Sequence, residues 1–237
     1  SVKHVSSCYA SVEWEKIQGT FGGCLSFLNR LKQQASALHN KQAAELQNIE
    51  ANTAATEWAC RSVCKYLQDL AKHLSVITPD APRFSLDGKT PWPAMKLVDF
   101  RTDFRKKKLR DNEVFDYIAM GWDIVPKAGI PIGGSVSVNF PPDLERVKKR
   151  LAFGHIEHEQ KNIRHPEKNT LQAICFEYMT KARGNVAAGH DNGNLIFCLA
   201  NADGFGVETS TWAAPKIDPA LLDELAKMVV AQPNQFR

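Results

Sequence analysis

Three histidines and two carboxylates lie close enough in this chain to raise metal chemistry. His155 and His158 sit in Gly154-His155-Ile156-Glu157-His158-Glu159, and His190 follows in Gly189-His190-Asp191. Imidazole nitrogens with carboxylates nearby are the ligand set of a catalytic zinc, where Glu157 or Glu159 would serve as general base on metal-bound water. The spacing resists this. His155 and His158 are three apart, so an extended strand would point them to opposite faces, and the segment is not an H-E-x-x-H helix. Only an irregular loop after a helix ending at Gly154 would turn both to one side. His190 would then have to reach the same ion at about 2.0 to 2.1 Å. A polar edge strand or loop is the plainer reading, and zinc is the one cofactor for which the chain offers ligands. Neither a glycine-rich phosphate loop nor a G-x-S-x-G elbow is present.

A second group of residues points to phosphate. Arg105, Lys106, Lys107, Lys108 and Arg110 form one basic run, and Arg146, Lys148, Lys149 and Arg150 form another. With Phe100, Phe104 and Trp122 nearby for stacking, the two runs would make a nucleic-acid surface. Acids accompany both. Asp99, Asp103, Asp111, Glu113 and Asp116 surround the first run, and the second closes a helix whose acids come first, which suits the helix dipole. A solvated, charge-balanced loop is therefore expected at 105–110.

Composition narrows the classes further. The chain has 237 residues, 43% hydrophobic and 24% charged, as in an ordinary globular protein. The net charge of +4 divides as +2 over residues 1–84, +2 over 85–160 and 0 over 161–237, so no region demands a polyanion. Six cysteines at 8, 24, 60, 64, 175 and 198 lack the dense spacing of a disulfide scaffold, and they are read as small hydrophobes in a reducing compartment. No run approaches the ~18 apolar residues of a membrane span. A cytoplasmic protein that does not enter membranes is expected.

The elements that would position these groups begin with a long apolar stripe. Residues Cys60, Val63, Leu67, Leu70, Leu74 and Ile77 recur at alternating steps of three and four, as do Cys24, Leu28, Leu31, Ala35 and Leu38 earlier. Between them the register slips and is restored through Leu46 and Ile49, a stutter. A polar patch at Asn48, Asn52 and Thr53 leaves a helical hairpin as the alternative. With no glycine or proline there, one helix from 24 to 77, roughly 80 Å long at 1.5 Å per residue, is favoured. So narrow a stripe is expected to meet a second helix, which makes Leu28, Leu31, Leu38, Leu46, Ile49, Val63, Leu67, Leu70, Leu74 and Ile77 the dimerisation seam.

Helix should stop near Thr78, since Pro79 and Pro82 follow. The expected organisation is a helical region over 1–78, a proline-rich linker over 79–93 and an α+β domain over 94–237. Strands are predicted at 95–104, 117–125, 135–140, 171–181, 195–200 and 205–212. Helices are predicted at 143–153, capped by Asp143 and closed by a left-handed Gly154, and at 219–231. Asn201-Ala202-Asp203-Gly204 is expected to turn the last hairpin, with Asp-Gly supplying the positive torsions. The fold class is α+β: a long N-terminal coiled-coil helix, or a helical hairpin, followed by a mainly antiparallel sheet with two helices. The function this suggests is self-association through the helix, with the α+β domain presented to a macromolecular partner. Nucleic-acid binding and metal-dependent hydrolysis are the alternatives.

Overall fold

The computed structural model describes residues 15–89, 91, 93–127 and 134–236. It is α+β. The elements are α1 (Glu15–Ile77), β1 (Met95–Leu109), β2 (Asn112–Pro126), β3 (Gly134–Val138), α2 (Pro141–Phe153), β4 (Glu157–Arg164), β5 (Leu171–Gly189), β6 (Asn194–Ala200), β7 (Val207–Ala213), a 3-10 turn (Ala214–Lys216) and α3 (Pro219–Val229). The helix α1 has no turn at Asn48 to Thr53, where the Thr53 hydroxyl bonds back to the Ile49 carbonyl at 2.8 Å. The hairpin alternative is thereby set aside. The chain divides at Asn48/Ile49 into two compact units.

In the first unit, every side chain from Phe27 to Asn48 is exposed. The second unit is built on β5, whose nineteen residues serve two sheets. Its C-terminal half lies in the order β1-β2-β5-β6-β7, and its N-terminal half is flanked by β3 and β4, all antiparallel. Strand β2 shows why this sheet forms: Ile118, Met120, Trp122 and Ile124 alternate inward and are buried. Against them lie Ala59, Cys60, Val63, Leu67, Ala71 and Leu74 of α1, together with Leu222, Leu225 and Met228 of α3, in one core cluster.

The apolar stripe of α1 from Cys60 to Leu74 therefore meets the chain's own sheet, which corrects the expectation that a partner helix covers it. A periodic stripe specifies which face is apolar, and a sheet face satisfies it as well as a helix does. At about 1.5 to 3 kcal/mol per fully buried aliphatic side chain, withdrawing Val63, Leu67 and Leu74 to contact another molecule would dismantle this unit.

Other expectations change at their edges. The segment read as a linker is part of the core cover: Phe84 and Leu86 are buried, and residues 79–81 bond to the start of β1. The basic run 105–108 is strand, because its partners 113–117 carry the apolar residues Val114 and Phe115 that hold the ribbon down. A further strand, β4, follows α2. Helix α2 starts on Pro141 with Phe140 at the cap position and no side-chain cap, while Asp143 sits in its first turn. Gly154 stays right-handed (φ −83°), and His155 takes the left-handed conformation (φ 48°). The last hairpin reverses over 201–206, as the segment 201–204 predicts, but the positive φ angles fall at Asn201 (56°) and Gly206 (135°) and not at Asp203-Gly204.

Candidate interaction surfaces

The three histidines named as metal ligands part company. His155 is exposed after α2. His158 lies on β4, its Nδ1 2.9 Å from the Ile156 carbonyl and its ring against Phe176. His190 is buried where β5 ends, beside α1 and β2. Glu157 and Glu159 are exposed on β4. Among the described residues no group of three His, Cys, Asp or Glu side chains is placed to hold a metal ion. The reason is local: residues 157–164 are extended, so neighbouring side chains alternate in direction.

His190 instead joins a polar network that the sequence does not announce. Its Nε2 donates to the Phe115 carbonyl at 2.7 Å, while Glu57 of α1 accepts from the Phe115 backbone N–H at 2.7 Å and lies 3.8 Å from the same Nε2. Around it, Asn52 donates to the Asp191 carbonyl at 2.9 Å, and Arg110 bonds to the Asp191 carboxylate at 2.5 Å. Residues 49–77 of α1 are thus tied to both the β1–β2 turn and the β5–β6 turn. No motif marks these residues, because each comes from a different element.

Most of the basic side chains are paired within the chain. Arg105 and Lys107 both pair with Asp116, Lys106 lies 3.5 Å from Glu113, and Lys108 lies 3.9 Å from Asp111. Arg105 also covers the Tyr117 ring. On α2, Arg146 bonds to Asp143 and to the Asp87 carbonyl, and Arg150 donates to the Ser85 and Leu86 carbonyls at 2.9 and 2.8 Å. Those two arginines hold the 85–89 strap down, while Lys148 and Lys149 remain exposed. The two basic segments form mixed-charge surfaces that compete with any phosphate for the same guanidinium and ammonium groups.

A groove of about 560 Å³ runs between α1 and the start of α3 within the second unit, lined mainly by apolar atoms that include Trp58, Tyr66, Leu70, His73, Pro219 and Leu222. Tyr66 closes one side by donating to Asp223 at 2.6 Å. Burial and that bond hold its phenol above the ordinary value. The sequence carries a faint trace of the groove, since Trp58, Tyr66 and His73 recur along the helix away from the buried stripe.

The dimerisation seam named from the sequence divides in two. Val63, Leu67 and Leu74 are buried in the second unit, and Leu70 is half-buried against the same core. Ile49 is half-buried. Leu28, Leu31, Leu38 and Leu46 are 47, 48, 62 and 59% exposed, and Ile77 is exposed at the helix end. Of the cysteines, Cys60 and Cys64 are buried and Cys175 and Cys198 half-buried, all four as free thiols, while Cys8 and the side chain of Cys24 lie outside what is described. No helix among the described residues is long and apolar enough to cross a membrane.

No family matches. Neither the family models, nor the curated proteins, nor the solved structures contain one that matches this chain.

Proposed function

We propose that the protein is an assembly element of the cytoplasm, which self-associates through α1 over residues 28–46 and presents its α+β unit to a macromolecular partner. The observation that carries this is the exposed row Leu28, Leu31, Leu38 and Leu46 on a stretch where every described side chain is exposed. A helix of about twenty residues without tertiary cover is marginal in water, and burying an apolar seam against a second helix is what stabilises it. Coiled-coil spacing of these leucines supports a partner of the same kind.

Sedimentation velocity at tens of micromolar tests the reading. The expected result is a species heavier than the 26.4 kDa chain, shifted to lower mass by the double substitution L31E/L38E with the sheet's near-UV signal unchanged. A wild-type protein that is monomeric under those conditions would overturn it.

A further inference from the structure

The edges of the two sheets differ in what they offer a partner. The outer edge of β1 is covered at 95–97 by residues 79–81, and further along it carries Arg105 to Lys108, which would meet their own kind in any antiparallel pairing with a second copy centred on that run. Like charges placed directly opposite are destabilising, so that edge is guarded. Strand β3 has five residues. Strand β4 pairs with β5 along one side and, like β3 and β7, has no strand among the described residues along its other side; it differs from them in that all eight of its residues are exposed.

The sequence of β4, Glu-His-Glu-Gln-Lys-Asn-Ile-Arg, is acidic in its first half and basic in its second. Antiparallel pairing with itself would set acids against bases. We propose that β4 is a docking edge for β4 of a second copy of this chain, joining the two β3-β5-β4 sheets across a two-fold axis through Gln160. Symmetry limits the registers, and the one centred on Gln160 is chosen because it sets opposite charges against each other. A two-fold axis normal to the sheet preserves its faces, so opposed residues must lie on the same face and differ by an even number. Centring on Glu159 opposes it to its own copy, and centring on Lys161 does the same for lysine. Centring on Gln160 places Glu159 opposite Lys161 of the second copy twice, Glu157 opposite Ile163, and His158 opposite Asn162, with no like pair. Within one chain Lys161 lies 3.7 Å from Glu159, so both already point to the same face. This interface is separate from the one proposed for α1.

Cysteine cross-linking in the full chain tests it. Gln160→Cys should give a 160–160 disulfide on mild oxidation, identified by peptide mass, because opposed Cα atoms in such a pair lie about 4.5 to 5.5 Å apart, within disulfide reach. Asn162→Cys should not, since its copies would be about 13 Å apart along the strands. In the Gln160→Cys background, E159K or K161E alone should cut the link yield roughly tenfold by opposing like charges, and E159K/K161E together should restore it. The link should persist in L31E/L38E, which separates this interface from the α1 seam. Absence of the 160–160 link, equal yields at 160 and 162, or no rescue by the double exchange would overturn the proposal. Capture of β4 by a different protein would show as the first of these.

Discussion

Glu57 and His190 converge on the backbone of one residue, the carboxylate accepting from the Phe115 N–H and the imidazole donating to the Phe115 carbonyl, each at 2.7 Å. Bonding to a carbonyl requires a proton on Nε2. The Nδ1 atom of His190 and the hydroxyl of Thr56, next to Glu57, are buried with no hydrogen-bond partner among the described residues. The α1–sheet contact thus carries polar groups whose partners are already few.

Removing Glu57 therefore strands a backbone donor. Glu57→Ala is expected to lower stability by about 1 to 3 kcal/mol, the cost of an unsatisfied buried amide, which is a fall of several degrees in Tm for a unit of this size. Glu57→Gln keeps an acceptor for Phe115 and should recover much of that loss. Thermal melts of both variants decide it: equal destabilisation would show that the hydrogen bond to Phe115 is not what Glu57 contributes.

Asp143 gives the unit an acid-sensitive contact. Its bond to Lys89 at 2.5 Å, and the neighbouring charge of Arg146, hold its carboxyl below the ordinary carboxylate value. A depressed folded value stabilises the fold above the unfolded value and is lost as pH falls through the folded one, so the contribution is complete above about pH 5 and fades below about pH 4. The Tm gap between wild type and Asp143→Asn should be largest near neutrality and close toward pH 3. A gap independent of pH would refute the assignment. Asp116, held down by its bonds to Arg105 and Lys107, acts in the same direction and stays intact in this comparison.

How far such features are legible in the sequence depends on whether a pattern has one physical solution. Strand β2 is legible because alternating Ile118, Met120, Trp122 and Ile124 fit only a half-buried strand. The stripe Val63, Leu67, Leu74 fits a helix face but leaves its cover open, and the sheet took the place expected for a second helix. Strand β4 has no apolar alternation because both its faces are exposed, and β5 alone makes it a strand. The Glu57–His190 network leaves no sequence signal, since its members meet only once α1, β2 and the β5–β6 turn are packed.

Cys60 is expected to resist alkylation in the native protein. Burial, reinforced by the nearby Glu57 carboxylate, pushes its thiol up to about 12, which leaves almost no thiolate at neutral pH. Iodoacetamide labelling read by peptide mass should modify Cys60 only after denaturant is added. Labelling at a rate like that of Cys198 in native buffer would show that α1 opens from the sheet.

Asn201 offers a separation of backbone strain from hydrogen bonding. It adopts φ 56°, its amide donates to the Gly154 and Lys181 carbonyls at 3.0 and 3.2 Å, and its side-chain oxygen accepts from Gly206 N–H at 3.0 Å. One side chain thereby fixes the end of α2, strand β5 and the β6–β7 turn together. Asn201→Gly removes the side-chain bonds but tolerates the left-handed backbone, whereas Asn201→Ala removes the bonds and adds the strain. Both should destabilise, and Ala should be worse by about 1 kcal/mol, the left-handed penalty of a non-glycine residue. Denaturant midpoints at unchanged m-value measure the difference. If Gly proves no better than Ala, the turn has relaxed away from the left-handed conformation, and the side-chain bonds alone account for this residue.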